Sequence, residues 1–409
     1  MNIKLSKSKI VNSKSKITIT GSKSESNRLL LLQALYPEIK IENLSNSDDS
    51  QLMQSALQSS EKIIDIHHAG TAMRFLTAFF SIQEEREIIL TGSNRMKERP
   101  IQILVEALQQ LGADIAYERS QGFPPLKIKG KTLTKSKVTL NANVSSQYIS
   151  ALLLIAPKLK NGLELTLKGK ITSMPYIEMT LSLLNEIGVE TSFSNNIIKV
   201  KPKPQNLKSQ NIIVESDWSS ASYYYSIVAL SDNGSQVELS YYKKNSLQGD
   251  SVLAKIYKTF GVETKFENNA IILQKPSIVN RQSSIELDLS NSPDLAQTIT
   301  VTCFGLGIEC FLTGLHTLKI KETDRLLALK TEIEKLGGNI KITEDTLQLS
   351  VSKTIKEDIE IATYNDHRMA MSFAPLALKT PLIINDAEVV SKSYPNFWND
   401  LKTLGFQLN

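Results

Sequence analysis

The chain has 409 residues, of which 41% are hydrophobic and 22% charged, and its formal net charge is +5. This composition predicts a soluble globular protein of roughly two or three domains, and its apolar runs are too short to span a bilayer. Two cysteines and four histidines exclude a cysteine-built metal cluster and favour a reducing compartment. The N-terminal residues lack the apolar core of a secretory signal, so we expect a cytoplasmic protein. The mild positive charge favours an anionic small molecule as partner over nucleic acid or a membrane.

The first predicted helix begins in the polar segment 21–28 and continues through four leucines at 29–32. The segment contains three serines together with Lys23 and Arg28. Backbone N–H groups at a helix start and nearby cations are the chemistry of an anion site. A serine-rich N-cap with two solvated cations explains the same residues, and both interpretations stay open for this segment taken alone.

Arginine is scarce in this chain and is placed selectively. Nine of the 47 basic residues are arginines, and six of these stand in short polar blocks: Arg28, Arg74, Arg95, Arg99, Arg325 and Arg368. The planar guanidinium binds phosphate and carboxylate with two parallel hydrogen bonds, so this placement favours specific oxyanion binding. For any single arginine the alternative is a local salt bridge.

A repeated pattern, in which an amphipathic helix ends at glycine and a strand follows, runs along the chain. The glycines are Gly112, Gly188, Gly261, Gly337 and Gly405, separated by 76, 73, 76 and 68 residues. Glycine is expected there as a left-handed helix stop. A sixth, degenerate copy would end near residues 59–60. Periods near 70 residues are too long for a solenoid and indicate a repeated subdomain.

Each repeat is predicted to run strand–helix–strand–helix–strand–strand. In the typical copy we predict strands at 138–140, 163–167, 189–193 and 197–200, with helices at 145–159 and 176–187. Alternating strands and helices predict an α/β (α+β) fold in which helices pack on mixed sheets.

Six repeats divide into two groups of three. The last repeat ends at Asn409 after one strand, and segment 2–10 is the candidate for its missing partner. We therefore expect one domain of three βαβαββ units at 21–214 and a second at 1–20 plus 215–409. The two chain crossings, near residues 20 and 215, would form a hinge.

Each repeat places a polar or capping cluster at the start of its first helix. The six clusters are 22–28, 70–74, 144–147, 217–220, 292–294 and 365–368. If the two domains face one another, six positive helix ends converge. Capping explains any single cluster but not the arginines in 70–74 and 365–368. Charged blocks also occur at 91–100, where a helix-initiating proline ends the loop, and at 319–325 and 391–395. For 319–325 the alternative is a capping box with a solvated charge run before a helix at 326–336.

Ten of these blocks, in order along residues 21–398, carry a resemblance to a known family. They are GSKSESNR, AGTAMRFL, TGSNRMKERP, SSQYISALL, SxPYIEMTL, SDWSSASY, SPDLAQT, KxKETDR, TYNDHRMAM and KSYPNFW. Together they resemble the EPSP synthase (3-phosphoshikimate 1-carboxyvinyltransferase) family of enolpyruvyl transferases. The resemblance implies two similar domains, each an inside-out α/β barrel of three βαβαββ units. It implies transfer of the enolpyruvyl group of phosphoenolpyruvate to the 5-hydroxyl of shikimate 3-phosphate, in the shikimate pathway to aromatic amino acids. It also implies a monomer with no metal or organic cofactor.

The resemblance also implies the site residues. For shikimate 3-phosphate they are Lys23, Ser24, Arg28, Ser145, Ser146, Gln147, Ser173, Tyr176, Asp294 and Lys321. For phosphoenolpyruvate they are Lys23, Gly70, Arg95, Gln147, Arg325, Arg368 and Lys392. Asp294 would be the base for the attacking hydroxyl, and Glu322 would be the acid that protonates the methylene carbon. Lys23 and Lys392 would also take part in proton transfer. The alternatives are that Asp294 is only an N-cap and that Glu322 only pairs with Lys319 or Lys321.

Three positions depart from the usual family pattern: His68 replaces asparagine, Phe75 replaces proline, and Thr317 replaces asparagine. They put the contact at Thr317 and the response to glyphosate in doubt. His67 and His68 are adjacent, but without further ligands nearby they are interpreted as loop histidines and not as a metal site.

Three rival functions are weighed against this interpretation. The related transferase acting on UDP-N-acetylglucosamine uses a loop cysteine, and this chain has no cysteine before Cys303. RNA 3′-phosphate cyclases share the repeated unit, but the adenylylated-histidine motif is not found. A non-catalytic anion-binding protein would not need both Asp294 and Glu322 among the cations.

Overall fold

The computed structural model describes residues 1–10, 15–141, 145–169, 171, 173–203, 210–277, 282–352 and 354–409. Within these ranges the strands are Ile3–Leu5 (β1), Ser15–Ile17 (β2), Ile39–Glu42 (β3), Ile63–Asp65 (β4), Glu87–Thr91 (β5), Asp114–Tyr117 (β6), Leu126–Lys129 (β7), Lys137–Asn141 (β8), Leu163–Lys168 (β9), Thr191–Ser194 (β10), Ile197–Val200 (β11), Gln210–Ile213 (β12), Gln236–Ser240 (β13), Glu263–Glu267 (β14), Ala270–Gln274 (β15), Ser284–Asp288 (β16), Glu309–Thr313 (β17), Asn339–Ile342 (β18), Leu347–Ser350 (β19), Ile359–Ile361 (β20) and Leu382–Ile384 (β21).

The α-helices of the same ranges are Lys23–Leu35 (α1), Asp48–Gln58 (α2), Gly70–Ser81 (α3), Asn94–Lys97 (α4), Gln102–Leu111 (α5), Ser146–Ile155 (α6), Met174–Glu186 (α7), Trp218–Leu230 (α8), Leu253–Lys258 (α9), Ala296–Leu306 (α10), Arg325–Lys335 (α11), His367–Phe373 (α12) and Phe397–Thr403 (α13). Short 3₁₀ helices lie at Ala156–Lys158, Gly249–Val252, Pro293–Leu295, His316–Ile320, Ala374–Leu378 and Ala387–Lys392. Among the helices described, none is long and apolar enough to cross a membrane.

The chain divides into two compact units. One unit comprises Met1–Thr20 with Glu215–Asn409, and the other comprises Gly21–Val214. The hinge expected near residues 20 and 215 stays a prediction.

The unit Gly21–Val214 contains three sheets, with strand orders β4-β5-β7-β6, β10-β11-β9-β8 and β12-β3. In each of the two larger sheets, a parallel pair is joined by a helical crossover and a hairpin continues the sheet antiparallel. The third sheet has only β3 and β12 among the residues described, in agreement with the degenerate first repeat.

The other unit contains the sheets β14-β15-β13-β2, β16-β17-β19-β18 and β1-β21-β20. The predicted N-terminal strand is confirmed: β1 pairs antiparallel with β21, and Leu5 also bridges Leu408. The two strands next to the chain crossings do not pair with the repeat whose first helix follows them. β2 precedes α1 in the chain but pairs with β13, and β12 precedes α8 but pairs with β3.

The first helix of each repeat is buried and packs against its equivalents within its own unit. α1, α3 and α6 pack together in one unit, and α8, α10 and α12 in the other. α6 and α8 are rich in apolar residues and buried on nearly every side, as expected for helices that are surrounded by protein. Their few less buried residues are polar and lie in the first turn, such as Gln147 and Ser219. The sheets therefore cover a helical core in each unit.

The predicted elements differ from the observed ones mainly at their ends. The helix predicted at 145–159 is α6 followed by a 3₁₀ turn, and the helix predicted at 176–187 begins earlier, with Pro175 in its first turn. Pro100 does not begin a helix, because α5 starts at Gln102 after the cap Ile101. The five repeat glycines all have positive φ, as predicted, and Gly112 caps α5 at +105°.

Candidate active site

Arg325 lies at the centre of a charged cluster in the unit that contains both termini. Its Nε donates to Asp366 Oδ2 at 2.6 Å, its Nη1 to Asp294 Oδ1 at 2.8 Å and its Nη2 to Glu322 Oε2 at 2.6 Å. The Arg325 side chain is only 2% exposed. Three short charge-assisted bonds fix the plane of the guanidinium.

Arg368 contacts the same carboxylate more loosely. Its Nη2 lies 3.3 Å from Asp294 Oδ2 and 3.2 Å from Ser219 Oγ, and its Nη1 lies 3.3 Å from the Asp294 carbonyl oxygen. Lys321 Nζ adds a third cation, 3.4 Å from Asp294 Oδ1. One carboxylate is thus shared by three cations, of which Arg325 lies closest to it.

Local sequence explains why these side chains meet. Asp324 caps α11 by accepting from Leu327 N, and Asp366 caps α12 by accepting from Arg368 N. Each cap sets a helix start, and the arginine follows in the first turn. Asp294 lies in the 3₁₀ turn Pro293–Leu295 that leads into α10. Contacts among α8, α10 and α12 then bring the helix starts together.

The cations control the ionisation of Asp294. Burial by itself would raise its pKa, but Lys321, Arg368 and Arg325 outweigh burial and hold the pKa well below its usual range. Burial would lower the pKa of Arg325, yet Asp366, Glu322 and Asp294 raise it above its ordinary value. Both groups are therefore charged at neutral pH.

The alternatives for Asp294 and Glu322 can now be assessed. Glu322 pairs with Arg325, whereas Lys319 pairs with Glu344 and Lys321 with Asp294. Glu322 is therefore bonded to an arginine, and a lysine is not its sole partner. Asp294 is not an N-cap, because the caps of the 3₁₀ turn and of α10 are Ser292 and Leu295, and its carboxylate accepts from two arginines.

Lys392 and Asp250 lie at the edge of this cluster. Lys392 Nζ donates to the Asn365 carbonyl oxygen at 2.6 Å, next to Asp366. Asp250 accepts from the Ser219 hydroxyl, which also contacts Arg368. Burial raises the pKa of Asp250 to about 6, against the opposing effect of Arg368.

Arg28 is the centre of a second cluster, in the unit Gly21–Val214. Its Nε donates to Thr180 Oγ1 at 2.8 Å, its Nη1 to the Ser24 carbonyl oxygen at 2.6 Å, and its Nη2 to Ser150 Oγ and the Tyr176 carbonyl oxygen at 2.9 and 3.2 Å. Burial lowers its pKa to about 10, which still leaves it charged at neutral pH. These contacts join α1 to α6 and α7.

Aromatic rings complete the surroundings of Arg28. Its Cζ lies 5.4 Å from the centre of the Phe75 ring and 5.9 Å from that of Tyr176. Both distances suit a cation–π contact. Phe75, a departure from the family pattern, therefore packs against a predicted site residue.

Lys23 pairs with an aspartate of α2. Its Nζ lies 3.4 Å from Asp49 Oδ2, and the other carboxylate oxygen of Asp49 lies 3.9 Å from His68 Nε2. The side chains of Lys23 and Asp49 are 19% and 10% exposed. Asp49 is thus placed between an ammonium and an imidazole.

The starts of α3 and α6 also meet. Gln147 Nε2 donates to Thr71 Oγ1 at 3.1 Å, and Ser145 caps α6 by accepting from Gln147 N. At Gly70 the backbone is closely approached, because a Cβ there would lie 2.5 Å from Arg99 Nη1.

Other predicted residues are not joined to these clusters by a described contact. Arg95 is exposed and pairs with Glu98 at 3.0 Å. Ser146 is buried in the first turn of α6, and Ser173 precedes α7 with φ of +53°. Val144, in one of the predicted helix-start clusters, lies outside the described residues.

Sequence reasoning did not single out the partners Asp49, Ser150, Thr180 and Asp250, and it included Thr71, Ser219 and Asp366 only as members of helix-start clusters. Asp49 and Asp366 had a local signal, since acidic residues at helix starts were visible. Ser150 and Thr180 lie in the middle of helices, where a lone hydroxyl carries no signal. Among the described residues, no group of three or more histidine, cysteine, aspartate or glutamate side chains could hold a metal ion.

The fold and these clusters define an α/β protein of repeated units whose buried helices present arginines and carboxylates at their starts. The family model described as EPSP synthase (3-phosphoshikimate 1-carboxyvinyltransferase) matches residues 54–401. The chain belongs to the EPSP synthase family.

Individual relatives agree with this assignment. Over 398 residues the chain is 48% identical to a protein of Bacteroides fragilis (strain YCH46) named 3-phosphoshikimate 1-carboxyvinyltransferase, covering 96% of each. It is 36% identical over 420 residues to a Haemophilus influenzae protein of the same name, covering 95% of this chain and 96% of the relative. The solved structure of EPSP synthase from Acinetobacter baumannii matches with a TM-score of 0.80 at 20% identity, covering 100% of this chain and 99% of that one. The likeness to the solved structure confirms the predicted fold.

Proposed function

We propose that this chain transfers the enolpyruvyl group of phosphoenolpyruvate to the 5-hydroxyl of shikimate 3-phosphate and releases phosphate. The observation that carries the proposal is the Asp294 carboxylate held by Arg325, Arg368 and Lys321 in a member of the EPSP synthase family. Such a carboxylate can serve as a base. Its cations can bind substrate anions once those anions compete for their N–H groups.

Phosphoenolpyruvate is proposed to bind to Arg325 and Arg368, together with Lys23, Gly70, Arg95, Gln147 and Lys392. Arg368 supports this role because its bonds are 3.2–3.3 Å long, whereas those of Arg325 are 2.6–2.8 Å. A substrate carboxylate would offer Arg368 shorter charge-assisted bonds. Arg325, which three carboxylates hold in place, would instead supply a fixed positive charge beside the substrate.

Shikimate 3-phosphate is proposed to bind to Lys23, Ser24, Arg28, Ser145, Ser146, Gln147, Ser173, Tyr176, Asp294 and Lys321. The role of Arg28 in this set is constrained by its surroundings. Its described contacts use four of its five N–H donors, and its side chain is buried. Arg28 would therefore also hold Ser24 and Tyr176 in place by their carbonyl oxygens.

Proton transfer is proposed to involve Asp294, Glu322, Lys23 and Lys392. Asp294 would take the proton of the 5-hydroxyl while the hydroxyl oxygen bonds to C2 of phosphoenolpyruvate. Its lowered pKa makes it a weak base without ligands. Substrate anions that engage Arg325, Arg368 and Lys321 would weaken that stabilisation and raise its basicity.

The remaining steps balance the reaction. Glu322 would give a proton to the methylene carbon, after gaining one itself, and would later help to remove one. Loss of a proton from the resulting methyl group, as the bond from C2 to the phosphate oxygen breaks, forms the enol ether of the product. Lys23 and Lys392 would also take part in these proton transfers. The proposed reaction needs no metal and no organic cofactor, and the enzyme is proposed to be a monomer.

Phosphate release by the purified protein tests the proposal. Release is expected with both substrates and not when shikimate replaces shikimate 3-phosphate, because the 3-phosphate is needed for binding. Treatment with a chelator should leave the rate unchanged. Folded protein that releases no phosphate above background would show that the proposed function is wrong.

A further inference from the structure

His68, Asp49 and Lys23 form a linked set in the unit Gly21–Val214. One oxygen of the Asp49 carboxylate lies 3.4 Å from Lys23 Nζ, and the other lies 3.9 Å from His68 Nε2. Asp49 is 7% exposed as a residue, and the His68 side chain is 33% exposed. A buried carboxylate thus has two cationic partners, of which only one is permanently charged.

We propose that His68 is a positioning residue for Lys23, because its protonation draws Asp49 away from the Lys23 ammonium and makes Lys23 available to an anionic substrate. The inference rests on the proposed function of Lys23 at the phosphoenolpyruvate site. With neutral His68, the Lys23–Asp49 pair carries no net charge. With protonated His68, the three groups carry one net positive charge.

Protonation of His68 and anion binding are therefore coupled. Protonated imidazole at 3.9 Å gains a Coulombic attraction to Asp49 that neutral imidazole lacks. Asp49 then holds Lys23 less tightly, and an anion near Lys23 is bound more strongly. By linkage the anion must in turn favour the protonated histidine. Histidine is suited to this role since the free side chain titrates near pH 6.5.

Other charged groups near His68 are separately paired or belong to the next helix start. Asp65 lies 3.9 Å from His67 Nδ1, on an exposed part of the same loop. Arg74 donates to the Gly70 carbonyl oxygen and Arg99 lies against Gly70, at the start of α3. These groups are present whichever state His68 adopts.

Steady-state kinetics across pH test the inference. The value of kcat/KM for phosphoenolpyruvate is measured from pH 5.5 to 8.5 for the wild type, His68→Asn and His67→Asn. Asparagine is chosen because it is the residue that the family pattern places at position 68. His67 is the matched control, since its side chain is 63% exposed and pairs with Asp65 instead of Asp49.

As the pH falls through the imidazole range, kcat/KM of the wild type and of His67→Asn should rise about fivefold relative to that of His68→Asn. This is the effect expected of one added charge near an anion. Ionisation of the substrate phosphate affects all three proteins equally. Three parallel profiles would overturn the inference.

A second measurement does not depend on turnover. Imidazole resonances of the four histidines are followed by NMR in the wild type, with His68 assigned by its absence in His68→Asn. Inorganic phosphate should move the titration of His68 to higher pH and leave that of His67 in place. This result would support the inference even if the wild type released no phosphate. An unmoved His68 titration would overturn it.

Discussion

The Arg325 guanidinium donates to the Asp294 carboxylate at 2.8 Å, while its other nitrogens are held by Asp366 and Glu322. The two partners differ in what their removal would leave behind. Without Arg325, three carboxylates would face one another. Without Asp294, Arg325 would keep two partners. Arg325 is therefore expected to matter most for stability and Asp294 for turnover.

Replacing Arg325 by glutamine should destabilise the protein by about 3–5 kcal/mol, because buried carboxylates lose their counter-charge. The free energy of unfolding in urea measures the effect. Arg368→Gln is the matched comparison, since its bonds of 3.2–3.3 Å predict a smaller loss of stability and mainly a raised KM for phosphoenolpyruvate. Equal unfolding midpoints for the wild type and Arg325→Gln would contradict the assigned role.

Asp294→Asn should lower kcat by at least about 100-fold, the usual cost of removing a general base. Asparagine keeps the size of the side chain and one oxygen that can accept from Arg325. The steady-state rate of phosphate release at saturating substrates gives kcat. Glu344→Gln, at an exposed pair with Lys319, is the control for loss of an acidic group. A kcat within tenfold of the wild type would remove Asp294 from the role of base.

Arg28→Lys should destabilise the protein by about 2–4 kcal/mol, because an ammonium cannot reproduce four bonds in the plane of a guanidinium. The hydrogen bonds that would be lost include those to Thr180, Ser150 and the carbonyl oxygen of Tyr176. Thermal unfolding compared with Arg119→Lys, an exposed arginine, measures the difference. If both variants unfold at the same temperature, the contacts of Arg28 do not stabilise the fold.

Asp250 should make the stability of the protein depend on pH. Its pKa is raised by burial from 3.8 to about 6, so the folded state binds this proton more tightly than the unfolded chain. The contribution to stability is fully present below pH 3.8 and is lost as the pH rises through about 6. The difference corresponds to about 3 kcal/mol at most.

Asp250→Asn should therefore be more stable than the wild type at pH 8, by an amount that shrinks as the pH falls from 6 to 4. Urea unfolding at several pH values measures this difference. Asp232→Asn, at an exposed position, is the matched control and should show no such trend. A gain independent of pH would show that Asp250 does not titrate in this window.

Much of the fold was predictable because its signals are local. Glycine at each helix end, caps at helix starts and apolar helices between strands identified the repeats. The pairing of β2 with β13 and of β12 with β3 was not predicted. Each of these strands pairs with a strand that is distant in the sequence, and three or four residues of alternating pattern do not specify a partner.

The site was predictable to a similar degree. Asp294, Glu322, Arg325 and Arg368 stand in charged blocks that the sequence displays, and the structure joins them in one cluster. Ser150 and Thr180 bind Arg28 from separate helices, and Ser219 links Asp250 to Arg368. Single hydroxyls and a lone aspartate in a short 3₁₀ helix have no pattern that distinguishes them from solvated residues.

The sequence by itself determined the repeat, the helix starts and the family, because capping, glycine stops and charged motifs depend on residues close together in the chain. Only the tertiary structure decided which charges meet. Asp294 and Arg368 are separated by 74 residues, and packing of α8, α10 and α12 brings them to 3.3 Å. The neighbouring cations then keep Asp294 charged against the effect of burial, since the pKa of a group in a protein depends on its spatial surroundings and not on its neighbours in sequence.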